Sequence, residues 1–311
     1  MKVLVTGAAG FCAAHLIQRL RCDASIEIAG LDVANTSAAA LRLDGYFQAD
    51  ITEPAAVARI VKLLVPDCIF HLAGAGASPL AASVCAVNVL GAGSVLEAVY
   101  RHASRCRVLV VGSAAEYGAV PLSDLPATEE SACHPAGAYG TSKYAATLMA
   151  LDYAKRAKLK IVVARPFNIV GPGIPQTLVV GALLARMKDA LRSDHPVVRV
   201  GDFDSERDFV GVSDAVDAYV KLLAAEAWGE VFNICSGSAH TVAAVASMLA
   251  ANSTRPIQVE LDPNLVPPSA VRRIYGNFEK ARCAIGFRPS RPLERVLADA
   301  WNNEIEAVIC A

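Results

Sequence analysis

Short apolar runs and longer helix-period stretches alternate along the first half of the chain. Lys2-Val3-Leu4-Val5-Thr6 is β-branched and almost unbroken in apolarity, which suits a strand buried on both faces. Comparable runs stand at 26–31, 46–51, 66–72, 108–112 and 160–165, with helical patterns between them at 13–20, 54–64, 79–103 and 139–158. Thr52 is placed to cap the second of these helices and Pro54 falls in its first turn. Regular alternation of strand and helix predicts an α/β domain built on a doubly wound parallel sheet over 1–165.

After Pro166 the pattern loosens. Residues 167–173 read as a loop, followed by a helix at 178–191, a strand at 197–200, a helix capped by Ser213 and running to 224, and a strand at 230–234. A helix at 242–251, a strand at 257–261, a Pro-rich loop with Arg272 and Arg273, and helices at 278–284 and 293–309 complete the chain. This predicts a smaller α+β lobe over 166–311, with 208–235 returning to the first domain.

Composition narrows the function classes. The 311 residues are 54% hydrophobic, enough for a sizeable core, and the net charge of -1 argues against a nucleic-acid surface. Nine dispersed cysteines without metal-ligand spacing read as reduced thiols in a cytoplasmic protein, and no metal site is expected. Met1 leads directly into a core strand, so no signal peptide is expected, and no membrane span is expected either.

Gly7-Ala8-Ala9-Gly10-Phe11-Cys12-Ala13 joins the first strand to the first helix. A glycine turn at a helix N-terminus brings backbone N–H groups and a positive dipole end to a pyrophosphate. Asp32 ends the second strand, about 20 residues on, where a carboxylate can accept from both ribose hydroxyls of NAD and repel a 2′-phosphate. Asp50 and Ile51 stand at the exit of the third strand and Leu72 and Ala73 after the fourth, while His71, ending an apolar run, reads as a hydrogen-bonded core histidine. Asn88 is the polar residue of an apolar helical stripe and needs a partner if buried.

Ser113 follows the apolar run Val108-Leu109-Val110-Val111-Gly112, which places it just past a strand's C-terminal end, where open α/β sheets bind ligands. Tyr139 and Lys143 are four apart, hence one turn apart on one helix face. An ammonium beside a phenol favours the phenolate and makes the phenol a usable acid near neutral pH. A hydroxyl, a phenol and an amine would then converge on one carbonyl or alcohol.

Together, Thr6-Gly7-x-x-Gly10-Phe11, Asp32, Asp50-Ile51, His71-Leu72-Ala73, Asn88, Ser113, Tyr139-x-x-x-Lys143, Phe167-Asn168-x-x-Gly171-Pro172 and Arg207-Asp208-Phe209 resemble an extended short-chain dehydrogenase/reductase acting on nucleotide-diphosphate sugars. Within that family, 112–118, 168–173 and 232–238 are similar to the reductases of GDP-6-deoxy-4-keto-D-mannose that form GDP-D-rhamnose. The resemblance implies a Rossmann fold, catalysis by Ser113, Tyr139 and Lys143, and a homodimer joined through a four-helix bundle of 80–103 and 138–158. It implies NAD(P) contacts from Gly7, Gly10, Phe11, Asp32, Asp50, Ile51, Leu72, Ala73, Asn88, Tyr139, Lys143 and Pro166. It implies sugar-nucleotide contacts from Ser113, Glu116, Asn168, Arg207, Arg272 and Arg273.

Departures from the family pattern are informative. Sugar-nucleotide dehydratases carry an acid pair where this chain has Ala114 and Ala115, and 3,5-epimerising relatives a Cys where Ala115 stands. Glu116 then reads as a supporting or lid residue rather than a catalytic acid. Ile169 replaces the His that follows the loop asparagine in GDP-rhamnose-forming relatives, and Pro267-Pro268 stands where they have Arg-Pro. Asp32 favours NAD(H), with NADP(H) the other possibility. The reading is a 4-ketoreductase of a nucleotide-linked 4-keto-6-deoxyhexose. A 4-epimerase with tightly held NAD is the first alternative and a non-catalytic NAD sensor on the same fold the second.

Overall fold

The apolar runs line up as one parallel sheet in the computed structural model, which describes residues 1–76, 80–201, 204–262 and 271–309. The first six strands are β1 (Lys2–Thr6), β2 (Glu27–Asp32), β3 (Gly45–Gln48), β4 (Cys68–His71), β5 (Arg107–Val111) and β6 (Lys160–Pro166). Then follow β7 (Asn168–Val170), β8 (Val197–Val200), β9 (Glu206–Gly211), β10 (Val231–Ile234), β11 (Ala239–Thr241), β12 (Gln258–Leu261) and β13 (Arg273–Ile274). The main sheet runs β10-β6-β5-β4-β1-β2-β3, every pair parallel. The chain winds outward from β1 to β3, then restarts at β4 and winds the other way. The crevice between β1 and β4 is therefore the topological switch point.

The helices are α1 (Phe11–Leu20), α2 (Pro54–Leu64), α3 (Ala81–Cys85), α4 (Gly91–His102), α5 (Gly137–Arg156), α6 (Val179–Ala190), α7 (Val212–Ala224), α8 (Val242–Ala250), α9 (Glu279–Ile285) and α10 (Leu293–Ile309). One face of the sheet is covered by α2, α4 and α5, whose Val57, Leu96 and Ala150 meet Leu4, Ile69 and Val108. The other is covered by α1 and α7, with Leu16, Val216 and Leu222 against Val3, Phe70 and Leu109. Leu96 is fully buried, and its truncation to Ala costs about 2–5 kcal/mol. Beyond this layer, β9 is flanked by β11 and β13 and pairs with β7, while β8 pairs with β12. That second core joins Leu183 and Met187 of α6, Phe209, Leu249 of α8, and Leu297 and Trp301 of α10.

Several local expectations change. Glu53, not Thr52, stands at the N-cap of α2, because Asp50 takes both the Thr52 N–H and its hydroxyl, each at 2.8 Å. α7 starts at Val212 with Gly211 at the cap, so Ser213 lies within its first turn. β3 ends at Gln48, short of Asp50 and Ile51, and Asn168–Val170, expected in a loop, pairs with β9. The long helix expected from Pro79 begins outside the described residues. It continues as α3, a π-helical turn at Ala86–Leu90, and α4. By length and composition alone Ala81–His102 is long and apolar enough to cross a membrane, but half of its most apolar stretch is buried inside this fold, as a core helix is.

Candidate active site

The crevice is shaped first by what Gly7 lacks. Its φ is +69°, and a Cβ there would stand 2.7 Å from the Ala73 nitrogen. Only glycine lets the turn after β1 touch the backbone after β4. The Thr6 hydroxyl accepts from the Ala73 N–H at 3.2 Å and shares a second hydrogen bond with His71 Nδ1 at 2.8 Å. Burial first, then the nearby Lys143 charge, hold the His71 imidazole down to about 3, which keeps the ring neutral. His71 is thus the hydrogen-bonded core histidine the sequence suggested.

No side chain caps α1, which starts at Phe11 directly after Gly10. Its leading N–H groups face the crevice end of the glycine turn. At the end of β2, Asp32 accepts from the N–H groups of Ala9 and Ala34, both at 3.0 Å, and this fixes its carboxylate beside the turn. Ile51 is buried under α4, where a Cβ on Gly91 would meet it at 2.7 Å; Asp50 is exposed and Pro166 is buried as the last residue of β6. A floor cleared of Cβ atoms, an uncapped helix N-terminus and a carboxylate at the β2 end together fit a dinucleotide.

Ser113 lies two residues past β5 in extended backbone and caps a single helical turn, Ala114–Glu116. Its Oγ accepts the Ala115 N–H at 3.1 Å, so its own hydrogen is left to donate outward. α5 brings up Tyr139, half-buried, and Lys143, buried, on one face. Lys143 Nζ donates to the Val111 carbonyl at 3.0 Å, and a Cβ on Gly74 would stand 3.0 Å from Nζ. The ammonium is therefore held between the ends of β4 and β5, beside the switch point. Asn88, in the π-helical turn, is buried. It accepts from Ala75 N at 2.8 Å and donates to Ala75 O at 3.1 Å and Ser142 Oγ at 2.9 Å, tying the loop after β4 to α5.

Glu116, expected as a lid residue and a sugar-nucleotide contact, is turned into the protein interior. It is fully buried, and its Oε2 receives Arg165 Nε at 3.0 Å and Nη2 at 2.8 Å. Oε1 accepts the Ser113 N–H at 2.8 Å and the Thr147 hydroxyl at 3.1 Å. Burial pushes the carboxyl above the usual carboxylate range; Arg165 and the Ser113 N–H pull it back. Arg165 also lies 4.6 Å over the ring of Tyr117, whose hydroxyl donates to Asn233 Oδ1 at 2.7 Å.

In the second lobe, Asn168 donates to the Asp208 carbonyl at 2.8 Å. Asp208 itself is buried and accepts from the N–H groups of Ser236, Gly237 and Gly276, which clamps 235–238 and 276 around β9. Arg207 donates to the carbonyls of Glu206 and Val271 at 3.0 and 2.9 Å. Arg273 pairs with Glu206 at 2.8 Å and stacks on Tyr275, and Arg272 is exposed. Pro267 and Pro268, the departure noted in the late loop, lie outside the described residues. Among the described residues no group of three or more His, Cys, Asp or Glu could hold a metal ion.

Sequence reading missed Arg165, Thr147 and Gly140. Arg165 carried a usable signal, since an arginine ending an apolar strand needs a buried acid partner.

A switch-point crevice built for a dinucleotide, with serine, tyrosine and lysine at its rim, defines a nicotinamide-dependent enzyme of the short-chain dehydrogenase/reductase type. The family model for the NAD dependent epimerase/dehydratase family matches residues 3–235, and the chain belongs to that family. It is 30% identical to the GDP-6-deoxy-D-mannose reductase of Pseudomonas aeruginosa, over 98% of both chains. The solved structure of RMD from Pseudomonas aeruginosa complexed with NADPH superposes with a TM-score of 0.83 at 28% identity, covering 98% of this chain and 99% of that one. The UDP-glucose 4-epimerase of Thermus thermophilus in complex with NAD gives 0.87 at 25% identity, covering 99% and 100%. NAD(P) is the cofactor these relationships support.

Proposed function

We propose that the chain reduces the 4-keto group of a nucleotide-diphosphate 4-keto-6-deoxyhexose, with GDP-6-deoxy-4-keto-D-mannose as substrate and GDP-D-rhamnose as product. The likeness to the Pseudomonas aeruginosa reductase supports the base and the sugar. The reaction type rests on one observation: the turn after Ser113 offers Ala114 and Ala115, and its acid, Glu116, is buried against Arg165. No acid of that turn is free for dehydration, while the groups needed to protonate a carbonyl oxygen remain.

Ser113 donates its hydrogen to the carbonyl oxygen, and Tyr139 delivers the proton that completes the alcohol. Lys143, anchored on the Val111 carbonyl, offsets the charge left on the phenol oxygen and keeps two further N–H donors for a ribose. A reduced nicotinamide, when bound, would provide the hydride for the carbonyl carbon and leave as the oxidised cofactor. Acid catalysis of this kind is worth ~10²–10⁴-fold. Asn168, Arg207, Arg272 and Arg273 are the proposed grip on the sugar nucleotide, with 166–311 as its lobe apart from the returning 208–235. Asp32 is proposed to favour NADH. The free cysteines fit the cytoplasmic setting of this reading.

A second reading, a 4-epimerase retaining NAD, is favoured by the likeness to the Thermus enzyme. Incubation with GDP-6-deoxy-4-keto-D-mannose and NADH or NADPH separates the two. Stoichiometric oxidation of the nicotinamide with formation of the 6-deoxy sugar is expected. Protein that purifies with bound NAD and interconverts 4-epimers without net consumption would be the epimerase.

A further inference from the structure

We propose that Glu116 and Arg165 are positioning residues that fix Ser113 relative to the helix carrying Tyr139 and Lys143, with Thr147 as the link between them. The inference rests on the catalytic reading of Ser113, Tyr139 and Lys143.

The geometry is specific. The Glu116 carboxylate receives donors from three separate elements: the Ser113 N–H of the loop after β5, the Thr147 hydroxyl of α5 and the Arg165 guanidinium of β6. Thr147 is four residues past Lys143 and eight past Tyr139, hence on the same side of α5. One buried carboxylate therefore holds the backbone of the hydroxyl donor and the helix of the proton donor at a fixed separation. Gly112 makes the room: a Cβ there would stand 2.3 Å from Glu116 Oε1. With the Ser113 N–H held from beneath, its backbone stays extended and its Oγ stays on the Ala115 N–H.

Stability alone does not account for such a pair. Buried ion pairs contribute little net stability compared with apolar residues of similar volume. Arg165 and Glu116 are 3% and 0% exposed, so they are not placed to touch substrate. Their influence must pass through Ser113 and α5. Errors of about 1 Å in such placements cost ~10²-fold in rate.

The test uses the full chain. Thr147→Val removes only the hydroxyl that joins α5 to Glu116. It is expected to lower kcat at least ~10-fold with the KM for the nicotinamide cofactor unchanged, and Thr147→Ser is expected to restore the rate. The Glu116→Leu/Arg165→Met double variant replaces the ion pair by apolar volume, and its crystal structure is expected to show Ser113 Oγ displaced from its place beside Ala115. Parental kcat in Thr147→Val, or an unmoved Ser113 Oγ in the double variant, overturns the proposal. If the parent turns over no nucleotide-linked 4-keto sugar, the catalytic reading fails, while the position of Ser113 Oγ still decides this one. Should the double variant not fold, the Thr147 pair decides it by rate, and the crystal structure of Thr147→Val by position.

Discussion

Gly140 lies against the carbonyl of Ala115 so closely that a Cβ would stand 2.5 Å from that oxygen and 3.2 Å from Pro135 Cβ. The residue next to Tyr139 thus touches the turn capped by Ser113, and the absence of a side chain sets how near the two groups come. Gly140→Ala is expected to push α5 and the Ser113 turn apart. The predicted cost is ~1–3 kcal/mol of stability by overpacking and about 10²-fold in kcat. Denaturant midpoints and steady-state kinetics check both. Unchanged kcat would show that this contact does not set the geometry.

Tyr139→Phe removes the proposed proton donor and leaves the ring. Activity should fall ~10²–10⁴-fold while cofactor binding, read by fluorescence titration, persists. Lys143→Met should lose activity and weaken cofactor binding as well, because it also gives up the tie to the Val111 carbonyl. Equal loss of cofactor affinity in both variants would contradict the separate roles assigned to them.

Why some of this was legible and some was not follows from range. Ser113, Tyr139 and Lys143 are marked by local signals, an apolar run ending at a small residue and an i,i+4 spacing. The doubly wound sheet was legible for the same reason, since each buried parallel strand is a continuous apolar run. Helix caps were less so: Thr52 has a capping side chain, but Asp50 competes for it two residues away. The end of β3 was over-extended because Ala49 and Ile51 continue the apolar pattern after the backbone has left the sheet. Glu116 and Arg165 are separated by 49 residues, and no pattern along the chain says which acid meets which arginine.

The outer face of the 81–102 and 137–156 helices exposes Leu90, Tyr100 and Leu148 at 61%, 52% and 49%. The proposed homodimer would cover these side chains. Light scattering is expected to show a dimer, and Leu90→Glu with Leu148→Glu a folded monomer. A monomeric parent would remove the four-helix interface.

His71 makes stability depend on pH in a definite direction. The unfolded chain binds the histidine proton near its ordinary 6.5, the folded chain only near 3. Between those values the unfolded state holds more protons, so the contribution of neutral His71 is present above about 6.5 and is lost as the pH falls toward 3. His71→Asn keeps a hydrogen-bonding group for the Thr6 hydroxyl but cannot be protonated. Its urea midpoint should be lower than the parent's at pH 7 and should fall less steeply across that window. Parallel pH profiles would assign the acid sensitivity elsewhere.

Asp32 should decide between the two cofactors. Its oxygens accept from Ala9 and Ala34, so the carboxylate cannot swing away without losing two backbone bonds. A 2′-phosphate on the adenosine ribose would meet this fixed charge. Like charges about 4 Å apart repel by ~1–4 kcal/mol between bulk water and a protein surface, and ~1.4 kcal/mol is already tenfold in binding. The parent is therefore expected to show higher kcat/KM with NADH than with NADPH. Asp32→Ala should shift that ratio at least ~10-fold toward NADPH, chiefly through KM. Because the Pseudomonas aeruginosa relative was solved with NADPH, the comparison is a sharp one. A parent that already prefers NADPH would mean that the ribose lies clear of Asp32 and that its two backbone bonds serve only to close the turn.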